Sequence, residues 1–411
     1  MHIALYARAW PFGHIPNGIV TYVHCMRAAL MAEGHRVSLF AELIGPGDHG
    51  PDVYPVARGV RRRLLGRLGR LAGSRGDGVS SWGEAIADAM ARVHRRTPID
   101  IIEMEEAFGW CADVQRLLDV PVVVKLHGPA FLTEIGQAAT LPLTVARAAN
   151  EGRALAKATA VISPSRCALD AAVQRYGPLA GLLEHVPNPL VLADSIPLWR
   201  CDHCERRTIL FVGKFDWIKG GDVMLRAFAR LLDRYPDAEL VFVGPDDGVA
   251  DNTGNRTHLA AYAQTVLGAA RVKSMRFLGR LDADLIPALR VGAAMTVVAS
   301  RWENQCYTAL EAMAQGCPTV APDTGGMSEI IDDGVTGLLC RVEDPEDMCR
   351  AMSTLFDEPA LGERLGRRAR EYVLAMHAPT TLARRTAALY ERVVKDYASR
   401  RARTSVIPSL T

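Results

Sequence analysis

Residues 207–245 read RTILFVGKFDWIKGGDVMLRAFARLLDRYPDAELVFVGP. RTILFVGKF (207–215) is an apolar run of strand length, 221–234 is a helical stretch, and AELVFVGP (238–245) is a second apolar run. Strand, helix and strand in that order make a βαβ unit, and the unbroken apolar runs mean a parallel sheet buried on both faces. Downstream a helix is expected near 257–268. MRFLGRL, AAMTVVAS and CPTVAP then read as strands, each followed by a helical stretch.

The same rhythm runs upstream. Strands are expected at HIALYA (2–7), HRVSLF, IDIIEM (99–104), VPVVVKLH (120–127), TAVISPS (159–165) and LLEHVP (182–187). Helices are expected at 19–33, closed by Gly34, at 83–96 and at 143–157. The rhythm breaks between Asn188 and Arg207, where Pro189, Pro197 and several charges read as a linker. The chain therefore reads as two doubly wound α/β domains in series, 1–195 and 205–377. A basic amphipathic helix over about 378–402 is expected to complete the first, and 403–411 to fray. Ligands bind at the carboxyl ends of strands in such sheets, so the active site is expected in a cleft between the domains.

Composition narrows the class. A chain of 411 residues is too long for one ordinary domain, and 49% hydrophobic with 23% charged residues suits globular cores. A formal net charge of +2 gives no sign of a nucleic-acid partner. The start, MHIALYARAWPFG, reads as a first strand and not as a signal peptide. No segment has the apolar length of a membrane span. Nine scattered cysteines read as free thiols. Cys201 and Cys204 in CDHC lack the second ligand pair of a structural zinc site, and a plain inter-domain loop is the better reading.

Three segments carry chemistry. After strand AAMTVVAS comes RWENQCYTALEAMAQG, with Glu303 in a loop and Glu311 inside a helix beginning near Cys306. A helix N-terminus offers free N–H groups to a diphosphate, and two carboxylates beside it can hold the hydroxyls of two sugars. The bland alternative is two solvated charges. GKFDWIKGG (213–221) is a glycine-bearing βα turn with Lys214 and Lys219, cations suited to a diphosphate leaving group. Its spacing is not that of a Walker loop, and surface lysines are the alternative. DTGGMSEI (323–330) turns on Gly325 and Gly326, with Glu329 following. These glycines allow close approach to a ligand, or simply a tight connection.

In this order and spacing the three segments resemble the retaining glycosyltransferases of family 4, which have the GT-B fold of two Rossmann-like domains around a cleft. The carrying residues are Gly213, Lys214, Lys219 and Gly220; Glu303 and Glu311; and Gly325, Gly326 and Glu329. The likeness is dense over 207–345 and looser before it. There it rests on the Asn17-Gly18 turn, His127 at a strand end, Ser163-Pro164-Ser165 and Pro187-Asn188. The resemblance implies a hexosyltransferase moving sugar from a nucleotide-diphosphate sugar to a sugar, lipid-linked or small-molecule acceptor. It implies retained configuration and no divalent metal or other cofactor. Lys214 and Lys219 would neutralise the diphosphate, Glu311 would bind the ribose, and Glu303 the transferred sugar. Gly18, Gly213, Asn304, Gln305, Cys306, Gly325 and Gly326 would line the donor site. His127 would touch sugar or acceptor, unless it is a structural strand-end histidine.

Departures fall at Lys214, where arginine is commoner, at Asn304-Gln305-Cys306, where many members have a Gly-Phe-Gly-like run, and at Pro189, where glycine is frequent. They bear on which sugar is carried more than on the reaction. Asp282 and Asp284 suggest a metal motif, but they begin the DADLIPAL helix, where Asp caps the backbone. A nucleotide-sugar epimerase on the same fold and a non-catalytic nucleotide-sugar-binding protein are the rival readings. The paired glutamates and lysines argue against both. Arg58–Arg75, seven arginines among leucines with no acidic residue, suits the anionic surface of a membrane or an anionic soluble acceptor. The expected location is cytoplasmic, including the inner membrane face.

Overall fold

The structure is a computed structural model that describes residues 1–11, 17–47, 49–50, 52–57, 80–134, 141–192, 196–205, 207–250 and 254–405. The arginine-rich stretch 58–75 lies outside the described residues. The chain divides into two compact units, Met1–Pro189 with Pro379–Thr411, and Leu190–Ala378.

The first unit holds a seven-stranded parallel sheet in the order β3-β2-β1-β4-β5-β6-β7. Its strands are β1 (His2–Trp10), β2 (Arg36–Ile44), β3 (Val53–Pro55), β4 (Ile101–Glu105), β5 (Val122–Lys125), β6 (Ala160–Ser163) and β7 (Leu182–His185). The central register sets Leu5 beside Leu39 on one side and Glu103 on the other. Apolar side chains are buried on both faces of the sheet, as its continuous runs require. The helix Gly18–Ala32 opens on Asn17, whose Oδ1 accepts from the Ile19 N–H at 2.9 Å, and Gly34 follows it at φ +83°. The helix expected at 83–96 is Ser81–His94. The Ser80 side chain accepts from the Gly83 N–H and so sets the start two residues earlier.

The C-terminal helix Pro379–Ser405 packs in this unit. Glu103 is wholly enclosed. It accepts from Tyr22 Oη at 2.9 Å and from Tyr390 Oη, on that helix, at 2.5 Å. Lys125 Nζ sits 4.7 Å over the Tyr22 ring and donates to the Val186 carbonyl at 2.7 Å. Buried polar groups this well partnered fix one arrangement of helix on sheet.

The second unit holds β8 (Thr208–Val212), β9 (Glu239–Val243), a short antiparallel ribbon of β10 (Val249–Ala250) and β11 (Arg256–Thr257), β12 (Met275–Gly279), β13 (Met295–Val297), β14 (Thr319–Pro322) and β15 (Leu338–Cys340). Its main sheet is parallel, in the order β12-β9-β8-β13-β14-β15. The helix Gly221–Arg234 buries Val223, Met224, Ala227, Phe228, Leu231 and Leu232, an i, i+3, i+4 stripe laid on that sheet. Chain order reverses between β8 and β13. This is the switch point at which open α/β sheets leave a crevice outside their strand ends.

Two readings change. Within the stretch expected as a linker, Leu190 and Trp199 pack onto the second unit. Leu190 and Trp199 are buried, Leu190 N–H donates to the His377 carbonyl at 3.0 Å, and Trp199 Nε1 donates to the Ala293 carbonyl at 2.7 Å. Its prolines stop regular structure without stopping burial. Asp282 does precede a short helical turn, but its side chain makes no capping bond. Among the described residues no helix is long and apolar enough to cross a membrane.

Candidate active site

Four loops at carboxyl ends of strands in the second unit build the site. The first, after β8, is held by glycines for steric reasons. Gly220 has φ +66°, and a Cβ there would lie 1.9 Å from the Ala299 carbonyl oxygen. A Cβ on Gly244 would lie 2.0 Å from the Gly213 carbonyl. The loop therefore seats directly against the end of β13 and against the third loop, which follows β9. Asp216 Oδ1 accepts from the Lys219 N–H at 2.7 Å and closes the turn.

Arg301, after β13, pins the same loop from beneath. Only 7% exposed, it makes two 2.9 Å bonds to the Asp222 carboxylate, donates to the Trp217 carbonyl, lies 4.4 Å under the Trp217 ring and pairs with Glu343 at 2.5 Å. Its own N–H donates to the Ile218 carbonyl at 2.8 Å.

These constraints bring Lys219 to Glu303. Nζ lies 2.6 Å from Oε1, which also accepts from Ser300 Oγ at 2.7 Å. Burial opposes the Lys219 charge, but the Glu303 carboxylate outweighs it. With lesser help from Cys306 and Asp216, it holds the ammonium above the ordinary lysine range. Lys214 stands apart. It is exposed and pairs with Asp247 at 3.0 Å.

Past Glu303, Asn304, Gln305 and Cys306 are all buried and lead into the helix Tyr307–Ala314, with Cys306 at its N-cap. Burial first and the Glu303 carboxylate next push the Cys306 thiol up to about 12, so it is a packing group and not a nucleophile. Glu311 lies within the helix, with Oε2 2.5 Å from Nη2 of the buried Arg290. The fourth loop, after β14, carries Gly325 and Gly326. Gly325 has φ +56°, and a Cβ there would lie 2.1 Å from the Glu303 carbonyl oxygen. Gly326 N–H donates to that oxygen at 2.8 Å. The close approach expected of this glycine pair is thus made to the Glu303 backbone.

In the first unit, Gly18 is the exposed opening residue of its helix. His127 follows β5. Its N–H and that of Gly128 donate to the buried Glu106 carboxylate at 2.9 and 2.8 Å, and its ring meets Tyr22 edge-on at 5.0 Å. Burial, then the Lys125 charge, pulls the imidazole down to about 3, so His127 is neutral and acts as a hydrogen-bonding group.

The sequence reading missed Ser300, Arg290, Gln315 and Arg301. Arg290 had one visible signal, a lone cation in the otherwise apolar IPALRVG. Arg301 and Gln315 carried none, because their partners are distant in the chain, and Ser300, three residues from Glu303, is an ordinary serine by sequence. Among the described residues no three His, Cys, Asp or Glu side chains gather as metal ligands. Cys201 and Cys204 pack against Trp199 and Cys317.

Two parallel α/β sheets, with the candidate residues at the strand ends of the second, define the GT-B architecture. The comparisons agree on the class. Residues 17–189 match the family described as "Glycosyl transferase 4-like domain", and 206–358 match "Glycosyl transferases group 1". The chain is similar to glycogen synthase of Mycobacterium tuberculosis, with 26% identity over 405 residues and 91% of each chain covered. It is also similar to D-inositol 3-phosphate glycosyltransferase of Corynebacterium jeikeium, with 36% identity over 162 residues, 39% of this chain and 38% of the relative. Among solved structures it shares its fold with sucrose-phosphate synthase from Thermosynechococcus elongatus, at TM-score 0.75 and 22% identity, covering 96% and 99% of the two chains. Anabaena HepE in complex with UDP and glucose gives TM-score 0.68 at 17% identity, covering 95% and 100%. The chain belongs to the GT-B glycosyltransferases, with a 4-like first domain and a group 1 second domain.

Proposed function

We propose that this protein is a metal-independent, retaining glycosyltransferase of family 4. It moves a hexosyl group from a nucleotide-diphosphate sugar to an acceptor hydroxyl in the synthesis of a polysaccharide, glycolipid or other glycoconjugate. The observation that carries this reading is the Lys219–Glu303 pair at the switch point of the second sheet, just ahead of the Tyr307–Ala314 helix. A firmly protonated ammonium beside a helix N-terminus stabilises the charge that grows on a departing diphosphate, which is the task a metal ion performs elsewhere. Glu303 is placed to accept from hydroxyls of the transferred sugar, Glu311 from the ribose, and Lys214 adds a second cation at the rim. Neutral His127 contributes a hydrogen bond to sugar or acceptor, not a proton. Attack comes from the face the diphosphate leaves, and the departing phosphate oxygen takes the acceptor proton.

Names among the relatives support a nucleotide-sugar donor and a polyol or sugar acceptor. The direct test incubates the protein with UDP-, GDP- and ADP-sugars in EDTA and follows nucleoside diphosphate release with and without acceptor pools. Acceptor-dependent release that survives the chelator is expected. Loss in EDTA with recovery on magnesium or manganese would overturn the metal-free mechanism. Epimerised donor without release would instead identify an epimerase.

From sequence alone, Arg58–Arg75 is the proposed contact with an anionic membrane surface at the cytoplasmic face. Pelleting with anionic vesicles and release at high salt are expected, and equal pelleting with neutral vesicles would end that proposal.

A further inference from the structure

Arg290 heads the fully buried side chains of this protein by size, at 1% exposed. It lies on the helix Ile286–Gly292, behind the strand that leads to the Glu303 loop. Enclosing a guanidinium is unfavourable unless its donors are spent on partners. Two of them are. Nη2 meets Glu311 Oε2 at 2.5 Å, and Nη1 meets Gln315 Oε1 at 3.2 Å. Nε has no partner. An apolar side chain would serve the core of this helix at lower cost, so the fold itself gives no reason for the charge. Among the described residues its one ion pair is with Glu311.

Gln315 explains how the arginine is aimed. It is fully buried, and its Nε2 donates to the Pro197 carbonyl at 3.0 Å and to the Pro287 carbonyl at 2.9 Å. Both amide protons are committed, so Oε1 can point only toward Arg290. The guanidinium is fixed from that side and faces Glu311 on the other. Glu311, by contrast, is 37% exposed along its side chain, with Oε2 tied inward. A glutamate on an open helix face samples several rotamers and loses that freedom when it binds a ligand. Here the freedom is already gone, and the remaining oxygen is left for a hydroxyl donor.

We propose that Arg290, aimed by Gln315, is a positioning residue for the donor nucleotide, acting through Glu311 on the ribose hydroxyls. This rests on the ribose reading of Glu311. Isothermal titration decides it, with whichever of UDP, GDP or ADP binds, set against its 2′,3′-dideoxy counterpart. Arg290→Met is expected to weaken the ribonucleotide about tenfold, the worth of one hydrogen bond to a charged group. Arg290→Lys should weaken it less, and the dideoxynucleotide should bind all three proteins alike. If Arg290→Met does not fold, Arg290→Lys decides alone by the same ribose-selective loss. Equal loss for both nucleotides, or no loss, would overturn the inference. Glu311→Ala separates the two levels. If it binds both nucleotides as the parent does, the ribose reading of Glu311 fails. If it loses only the ribonucleotide while the arginine variants lose nothing, Arg290 alone is dismissed.

Discussion

Lys219 and Glu303 are eighty-four positions apart in the chain, yet Lys219 Nζ lies 2.6 Å from Glu303 Oε1. The pair joins the loop after β8 to the loop after β13, across the point where strand order reverses. The Glu303 side chain is nearly enclosed, at 11% exposed, while the Lys219 side chain is 38% exposed. An incoming diphosphate is expected to meet the lysine from its accessible side. Lys219→Ala is therefore expected to lower kcat/KM by ~100-fold or more, the worth of one charge-stabilising donor in a preorganised site. Its melting temperature should fall as well, because the nearly enclosed Glu303 carboxylate keeps the Ser300 hydroxyl but loses its cation, so turnover is compared on folded protein. Unchanged turnover in the folded variant would remove Lys219 from the chemistry.

Gly325 controls where Glu303 sits. A Cβ at this position would lie 2.1 Å from the Glu303 carbonyl oxygen and 3.1 Å from Trp302 Nε1, with φ at +56° besides. Gly334 has a similar φ of +70°, and nothing lies within 4 Å of its Cβ position. Gly334→Ala should cost only the backbone strain, about 1 kcal/mol, and leave turnover intact. Gly325→Ala must also displace the Glu303 loop, so it should lose most activity at a modest further cost in stability. Denaturant melts and steady-state rates on both variants check this. Equal activity in the two would mean that the Glu303 loop yields freely.

Alternating apolar runs were enough to predict two wound sheets, because a strand buried on both faces needs a continuous apolar segment. Short edge strands such as β3 and β15 are absent from the expected strands, because VYP and LLC stand without the longer apolar run that marks the equally short β13 inside AAMTVVAS. Lys214, Lys219, Glu303 and Glu311 were visible because motif spacing marks strand ends. What holds them was hidden. Arg301 looks like an ordinary loop residue until the fold brings Trp217 and Asp222 to it, and Ser300 until its hydroxyl is seen turned onto Glu303 three residues on. For the glycine pair at 325 and 326 the sequence leaves open a close approach to a ligand or a tight connection, and the structure shows Gly325 packed on the Glu303 carbonyl. Sequence distance was the obstacle for Arg301 and for the glycine at 325. Pairings between loops leave no local pattern.

Arg301 gives a test of the support beneath the lysine loop. Its contacts with Asp222 are bidentate and buried, and it also holds the Trp217 carbonyl. Removing one partner of a buried pair costs up to ~3–5 kcal/mol when the other is left alone, and here Asp222 keeps Arg226 at 3.1 Å, so the lower end is expected. Arg301→Ala should lose stability of that order in urea unfolding. Arg301→Lys should recover only part, because an ammonium cannot reproduce the fork. A loss no larger than that of Arg207→Ala, whose exposed pair with Asp237 serves as control, would show that Arg301 is dispensable.

Glu105 supplies a pH signature in the first unit. It ends β4, is 4% exposed, and its Oε2 has no hydrogen-bond partner. Burial first, and then the neighbouring Glu106 charge, push its carboxyl from 4.5 up to about 8, against the pull of Arg8 and Arg147. Between those values the folded chain keeps a proton that the unfolded chain releases. Its contribution to stability is therefore complete below pH 4.5 and is lost as pH rises toward 8. Glu105→Gln keeps the shape and cannot titrate. Relative to the variant, the parent should lose stability on going from acid to mildly alkaline conditions, by at most about 1.4 kcal/mol per pH unit. Urea unfolding of both proteins across that range measures the difference directly, and Glu106, present in both, largely cancels. Parallel stability profiles would mean that Glu105 stays ionised in the fold, with a partner for its second oxygen.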